Sequence, residues 1–167
     1  MYKTLNVSSK IKLIVSDFDG IFTDNSVFVL NENTKLKKLS FKDLMGVSIA
    51  VKNGINVAII SGEKSPEIDY VAKKFNLVDI HQGIRNKYPI LKQIVEKYSL
   101  SEEEVIYIGD DVNDIDCLNA VKYAVSVKEA NYKVKSLPHI QLTQACAGDG
   151  AFREVVDNII ELRNYEK

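Results

Sequence analysis

Hydrophobic positions along this chain follow two periods. Mostly apolar runs rich in branched residues at 11–15, 56–60 and 104–108 fit strands buried on both faces of a parallel sheet. Between them, apolar positions three and four apart predict helices: 43–52 with Leu44, Val47 and Val51 on one face, 87–98 with Ile90, Leu91, Ile94 and Val95, and 151–161 with Phe152, Val155, Val156, Ile159 and Ile160. Two more helices are expected at 65–75, where Pro66 is harmless in the first turn, and at 113–121; Asn53-Gly54 stops the helix before it. Residues 123–127 read as a weak strand, and 79–83 is short and ambiguous.

One segment breaks this alternation. Residues 27–30 and 36–40 flank the polar Asn31-Glu32-Asn33-Thr34-Lys35, which predicts a hairpin with a five-residue turn. An isolated two-stranded ribbon is marginal in water, so it must pack on the domain body or on another subunit. Strands alternating with helices imply an α/β fold, a parallel sheet flanked by helices and joined by right-handed crossovers. The three strong strands then end on one edge, where open sheets of this kind bind ligands.

That edge collects the chemistry. The first run stops at Asp17-Phe18-Asp19-Gly20, the second at Ser61-Gly62, and the third at Gly109-Asp110-Asp111-Val112-Asn113-Asp114; Lys87 follows the ambiguous segment. Each part alone has an ordinary explanation. Asp-x-Asp-Gly is a common turn composition, the 110–114 acids suit a solvated loop and helix cap, Ser61-Gly62 suits a strand-to-helix cap, and a lysine opening a helix is usually exposed. A calcium loop counted from Asp17 would put Phe28 where a bidentate glutamate is required, so that option is excluded. Gathered together, the carboxylates repel unless a hard cation sits among them, and oxygen-only donors select Mg²⁺, held by Asp17, Asp110 and the backbone carbonyl of Asp19. The set fits phosphoryl transfer, with Asp17 as nucleophile, Asp19 as acid and base, and Ser61 and Lys87 neutralising the phosphoryl oxygens.

Composition narrows the partners. The 167 residues suit one domain over 1–167, and 22 basic against 23 acidic residues leave a net charge of -1, too little to attract nucleic acid or an anionic membrane. Cys117 and Cys146 have no paired spacing, residues 1–6 carry no apolar signal core, and no run reaches the ~18 apolar residues of a membrane span, so a cytoplasmic location is expected.

With these residues in place, Asp17-Phe18-Asp19-Gly20 with Thr23-Asp24, Ser61, Lys87 and Gly109-Asp110-Asp111-x-Asn113-Asp114 resemble the four motifs of the haloacid dehalogenase superfamily of phosphatases. The hairpin in place of a cap domain, Ser61-Gly62-Glu63-Lys64, and Ala147-Gly148-Asp149-Gly150-Ala151-Phe152-Arg153-Glu154 resemble its small capless phosphatases of 3-deoxy-D-manno-octulosonate 8-phosphate and of sialic-acid-like nonulosonate 9-phosphates. The resemblance implies a Rossmann-like fold, Mg²⁺ dependence with Asp17, Asp19 and Asp110 at the metal and Asp111 and Asp114 behind them, and a homotetramer in which hairpins pair and neighbours close each site. Glu63-Lys64 departs from the arginine that octulosonate enzymes carry after the Ser/Thr-Gly pair. It tilts the expected substrate slightly toward nonulosonates, with Gly62, Glu63, Lys64 and Lys74 as expected substrate contacts. Two other readings share parts of the pattern: a phospho-accepting receiver domain, which lacks a second aspartate two residues after the nucleophile, and a catalytically weak accessory module that only assembles a tetramer.

Overall fold

The computed structural model describes residues 5–166, so the expectation about a signal core at 1–6 lies for its first four positions outside the described residues. Six strands form a parallel sheet in the order β5-β4-β1-β6-β7-β8. They are β1 (Leu13–Ser16), β4 (Asn56–Ile60), β5 (Asp79–His81), β6 (Val105–Ile108), β7 (Tyr123–Ser126) and β8 (Gln141–Leu142). The hairpin forms a separate antiparallel pair, β2 (Phe28–Asn31) and β3 (Thr34–Leu36). Flanking the sheet are α1 (Phe41–Lys52), α2 (Pro66–Phe75), α3 (Tyr88–Lys97), α4 (Ile115–Ala120), α5 (Tyr132–Lys135) and α6 (Ala151–Tyr165).

β1 lies between β4 and β6 and is buried throughout, which explains its apolar Leu13-Ile14-Val15. Ser16 pairs with Ile59 on one side and Ile108 on the other. The segments that follow β1, β4 and β6 therefore emerge from the same edge of the sheet. The 79–83 segment, ambiguous in sequence, supplies edge strand β5, pairing Ile80 with Ile59.

Several boundaries differ from the sequence expectations. The hairpin turn has two residues, Glu32 and Asn33, not five, because Asn31 accepts the Asn33 N–H through its side chain at 2.9 Å and stays in the ladder opposite Thr34. The second arm stops at Leu36 instead of running to residue 40, since Ser40 turns out to cap α1 by accepting the Lys42 N–H at 3.1 Å. α1 accordingly starts two residues before Asp43. The predicted helix at 113–121 is a one-turn 3₁₀ segment over Val112–Asp114 followed by α4, with Asp111 accepting the Val112 N–H at 2.7 Å. Glu104 belongs to another 3₁₀ turn, its carboxylate bound to the Ser101 N–H, and leaves β6 to begin at Val105. α6 runs on to Tyr165.

α1 and α6 lie against each other through a close backbone approach: a Cβ at Gly46 would sit 2.9 Å from the Arg153 Cα. Beside it, buried Asp43 accepts the N–H groups of Gly150 (2.9 Å) and Arg153 (3.2 Å), satisfying two donors at the α6 N-terminus. Burial raises the Asp43 pKa, and those backbone donors offset part of the rise. Cys117 and Cys146 are both free. No helix among the described residues is long and apolar enough to cross a membrane.

Candidate active site

The Asp17 N–H donates to the Ile108 carbonyl at 2.8 Å, so Asp17 continues the β1–β6 ladder by one bond before the chain turns. The Phe18 carbonyl then accepts the N–H of Phe22 at 2.9 Å, and Asp19 reaches the site from this turn and not from an extended strand. Gly20 has φ +80°, and a Cβ there would lie 2.0 Å from Asp110 Oδ2. Only glycine lets this turn lie against the second acid cluster. At the end of β6, Gly109 plays a matching part: a Cβ would stand 2.4 Å from Asp114 Cγ, so its absence lets Asp114 fold back beneath Asp110.

Lys87 is the surprise among the expected residues. Its position before α3 suggested an exposed side chain, yet its side chain is fully buried, with Nζ 2.9 Å from Asp17 Oδ2 and 2.8 Å from Asp114 Oδ1. Burial alone would lower the ammonium pKa, but the two carboxylates outweigh it and hold Lys87 above its ordinary value. Asp114 is saturated: Oδ1 also accepts the Tyr107 hydroxyl at 2.7 Å, and Oδ2 accepts the N–H groups of Asp110 (3.1 Å) and Asp111 (3.2 Å). It therefore positions its neighbours. Burial, then repulsion from Asp114, push Asp17 well above the usual carboxylate range despite Lys87. Burial and the Asp114 and Asp111 charges likewise push Asp110 up to about 7.

One carboxylate oxygen each from Asp17, Asp110 and Asp114 lie within 4.8 Å of one another. Asp17 and Asp110 fit a hard divalent cation, because these two buried acids lie together beside the saturated Asp114 with one lysine to balance the three, and a cation would relieve the penalty that raises both of their pKa values. The Asp19 side chain stands apart from that cluster: Oδ1 accepts the Thr23 hydroxyl at 3.1 Å, and Oδ2 pairs with Lys37 Nζ at 2.6 Å.

A cavity of about 380 Å³ opens over these groups, lined by Asp17, Asp19, Ser61, Gly62, Asp110 and Asp111 among others. An adjoining cavity of about 570 Å³ lies between the hairpin and the segment 63–67; Asp19, Asn25 and Glu63 line both. Ser61 is buried and follows β4 directly, but the cap of α2 is Ser65, four residues beyond Ser61, which accepts the Ile68 N–H. Lys64 lines the second cavity. Lys74 lies on α2 with Nζ against the Tyr70 hydroxyl at 3.0 Å, outside both linings. Asn113, part of the motif after the third strand, lines the first cavity; Asn25 and Arg85 also line it and Lys37 the second, although sequence reasoning singled out none of these three.

The haloacid dehalogenase-like hydrolase family matches residues 58–154. The 3-deoxy-D-manno-octulosonate 8-phosphate phosphatase of Salmonella typhi is 30% identical over 154 residues, 92% of this chain and 81% of that protein. The chain belongs to the haloacid dehalogenase-like hydrolases. Within that family its likeness is to the capless octulosonate 8-phosphate phosphatases. The Moraxella catarrhalis enzyme, solved with magnesium, phosphate and 3-deoxy-D-manno-octulosonate, is 30% identical with a TM-score of 0.87, the match covering 93% of this chain and 90% of that one. The cobalt-bound Haemophilus influenzae phosphatase is 25% identical with a TM-score of 0.83, covering 93% and 91%. This hydrolase is thus a phosphatase by family, and the signalling-receiver reading is set aside.

Proposed function

We propose that this phosphatase hydrolyses the phosphate monoester of a 3-deoxy-2-keto sugar acid, 3-deoxy-D-manno-octulosonate 8-phosphate first among them, through a phosphoryl group carried on Asp17. The observation that carries the substrate class is the match over 92% of the chain to phosphatases named for it. Asp17 Oδ attacks phosphorus while the ester P–O bond breaks, and Asp19 gives its proton to the leaving sugar oxygen. Water then attacks the aspartyl phosphate, Asp19 takes back a proton, and the acyl P–O bond breaks to release inorganic phosphate. Lys87, buried behind the cavity, keeps Asp17 aimed into it and adds positive charge beneath the phosphoryl group, while the Ser61 hydroxyl in the cavity lining offers a donor to the phosphoryl oxygens. Asp17 and Asp110, with the Asp19 carbonyl, would hold Mg²⁺, which supplies charge neutralisation of the phosphoryl group. Asp111 and Asp114 support that arrangement from behind.

Nonulosonate 9-phosphates form a second reading, favoured by Glu63, an acceptor for sugar hydroxyls that lines both cavities. With Mg²⁺ present, kcat/KM is expected to be higher for either sugar acid than for glucose 6-phosphate, and Glu63→Ala should raise KM for the acid while sparing a small aryl phosphate. A preference for the neutral sugar would overturn the substrate class. No hydrolysis of any ester by a well-folded oligomer would favour the accessory-module reading.

The hairpin supports the proposed homotetramer. Phe28, Val29 and Leu30 are each more than 60% exposed, an apolar ribbon unsuited to water. Deleting residues 25–39 is expected to give a smaller species with poor turnover in light scattering and kinetic assays; a monomeric wild type at full activity would contradict the assembly.

A further inference from the structure

Lys37 follows β3 directly and is anchored at two points. Its backbone N–H donates to Glu67 Oε1 at 3.0 Å in the first turn of α2, and its Nζ meets Asp19 Oδ2 at 2.6 Å. Its side chain is only 9% exposed, unusual for a lysine at a hairpin root. Asp19 is thereby held at both oxygens, Oδ1 by the Thr23 hydroxyl and Oδ2 by Lys37, which fixes the plane of the carboxylate.

The two half-reactions need that fixing unequally. When Asp17 attacks the ester, the leaving oxygen itself lies beside Asp19 and aligns it through the proton they share. Once the sugar has left, the attacking water brings no such framework, so orientation of the base must come from the protein. We infer that Lys37 is a positioning residue for the hydrolysis of the aspartyl phosphate, fixing Asp19 toward the attacking water and tying that step to the seating of the hairpin. The inference rests on the Asp17 and Asp19 roles proposed above. It also gives the hairpin a task inside its own chain's site, separate from any contact with a second copy.

The test is rapid-quench kinetics on the Mg²⁺-loaded protein with 4-nitrophenyl phosphate, comparing wild type, Lys37→Met, Lys37→Arg and Glu67→Ala. In Lys37→Met the ratio of the nitrophenolate burst rate to the steady-state rate is expected to rise roughly 10²-fold, the scale of an Ångström-level misplacement of a reacting group. Lys37→Arg should restore most of the steady rate. Glu67→Ala, which frees the Lys37 backbone but keeps its ammonium, should shift the ratio in the same direction by less, and it stands in if Lys37→Met fails to fold. A merely structural role would lower the amount of active protein without changing this ratio. An unchanged ratio in Lys37→Met and Glu67→Ala, with phosphate trapped on Asp17 in Asp19→Asn, overturns the Lys37 assignment alone. Absence of trapped phosphate in both wild type and Asp19→Asn overturns the aspartyl-phosphate reading, and the Lys37 assignment with it.

Discussion

Asp17→Asn is expected to lose phosphatase activity by at least ~10⁴-fold, the scale on which removing an attacking group acts, while remaining folded. The amide keeps the shape of the side chain but cannot attack phosphorus or bring negative charge to the Asp17, Asp110 and Asp114 cluster. Folding should survive because Lys87 retains its ion pair with Asp114. Without metal the variant is expected to be at least as stable as wild type, since burial already penalises the Asp17 carboxylate. Asp19→Asn should behave differently. Its loss is that of one proton-transfer group, ~10²–10⁴-fold, and it should still accept phosphate slowly on Asp17. Initial rates and thermal melts of the two variants separate the roles; full activity in Asp17→Asn would remove the nucleophile assignment.

Removing Mg²⁺ should abolish turnover, and its effect on stability should depend on pH in a direction the site dictates. Asp110, at about 7 in the metal-free fold, lies far above the ~3.9 of an unfolded aspartate. An acid whose folded pKa is raised binds its proton more tightly in the folded chain, so between those two values metal-free stability falls as pH rises. A divalent cation must displace that proton, so its affinity climbs through the same window. The rise in Tm on adding Mg²⁺ is therefore expected to be larger one unit above the folded Asp110 value than one unit below it. Equal rises at both would show that Asp110 carries no proton that competes with the metal.

Much of this site was legible because strand patterning and chemistry coincide in the chain. Where an apolar run stops at a carboxylate or a Ser-Gly pair, a parallel sheet gathers the stops on one edge, and Asp17, Ser61 and Asp110 lie there together. Lys87 was legible as a candidate but not as a buried one, since its burial depends on Asp17 and Asp114, carboxylates distant in sequence. Lys37 was less legible still: in the run Leu36-Lys37-Lys38-Leu39 it looks like one of several solvated charges, and only the fold of the hairpin against α2 brings it to Asp19. Lys74 shows the opposite case, a helix lysine expected at the mouth of the site whose amine stacks near Tyr70 on its own helix. α5 and β8 escaped detection because four residues and two residues carry too little periodicity to register.

The proposed function depends above all on passage of the phosphoryl group through Asp17 on its way from sugar acid to water. A single-turnover experiment addresses it most directly, with Mg²⁺-loaded enzyme in excess over phosphate-labelled 3-deoxy-D-manno-octulosonate 8-phosphate, acid quenching and peptide mapping over time. Label is expected on the peptide containing Asp17 before it appears in inorganic phosphate, draining from the first into the second at the rate of phosphate release. Inorganic phosphate formed at the full rate with no label ever on Asp17, or label on another residue, would contradict it.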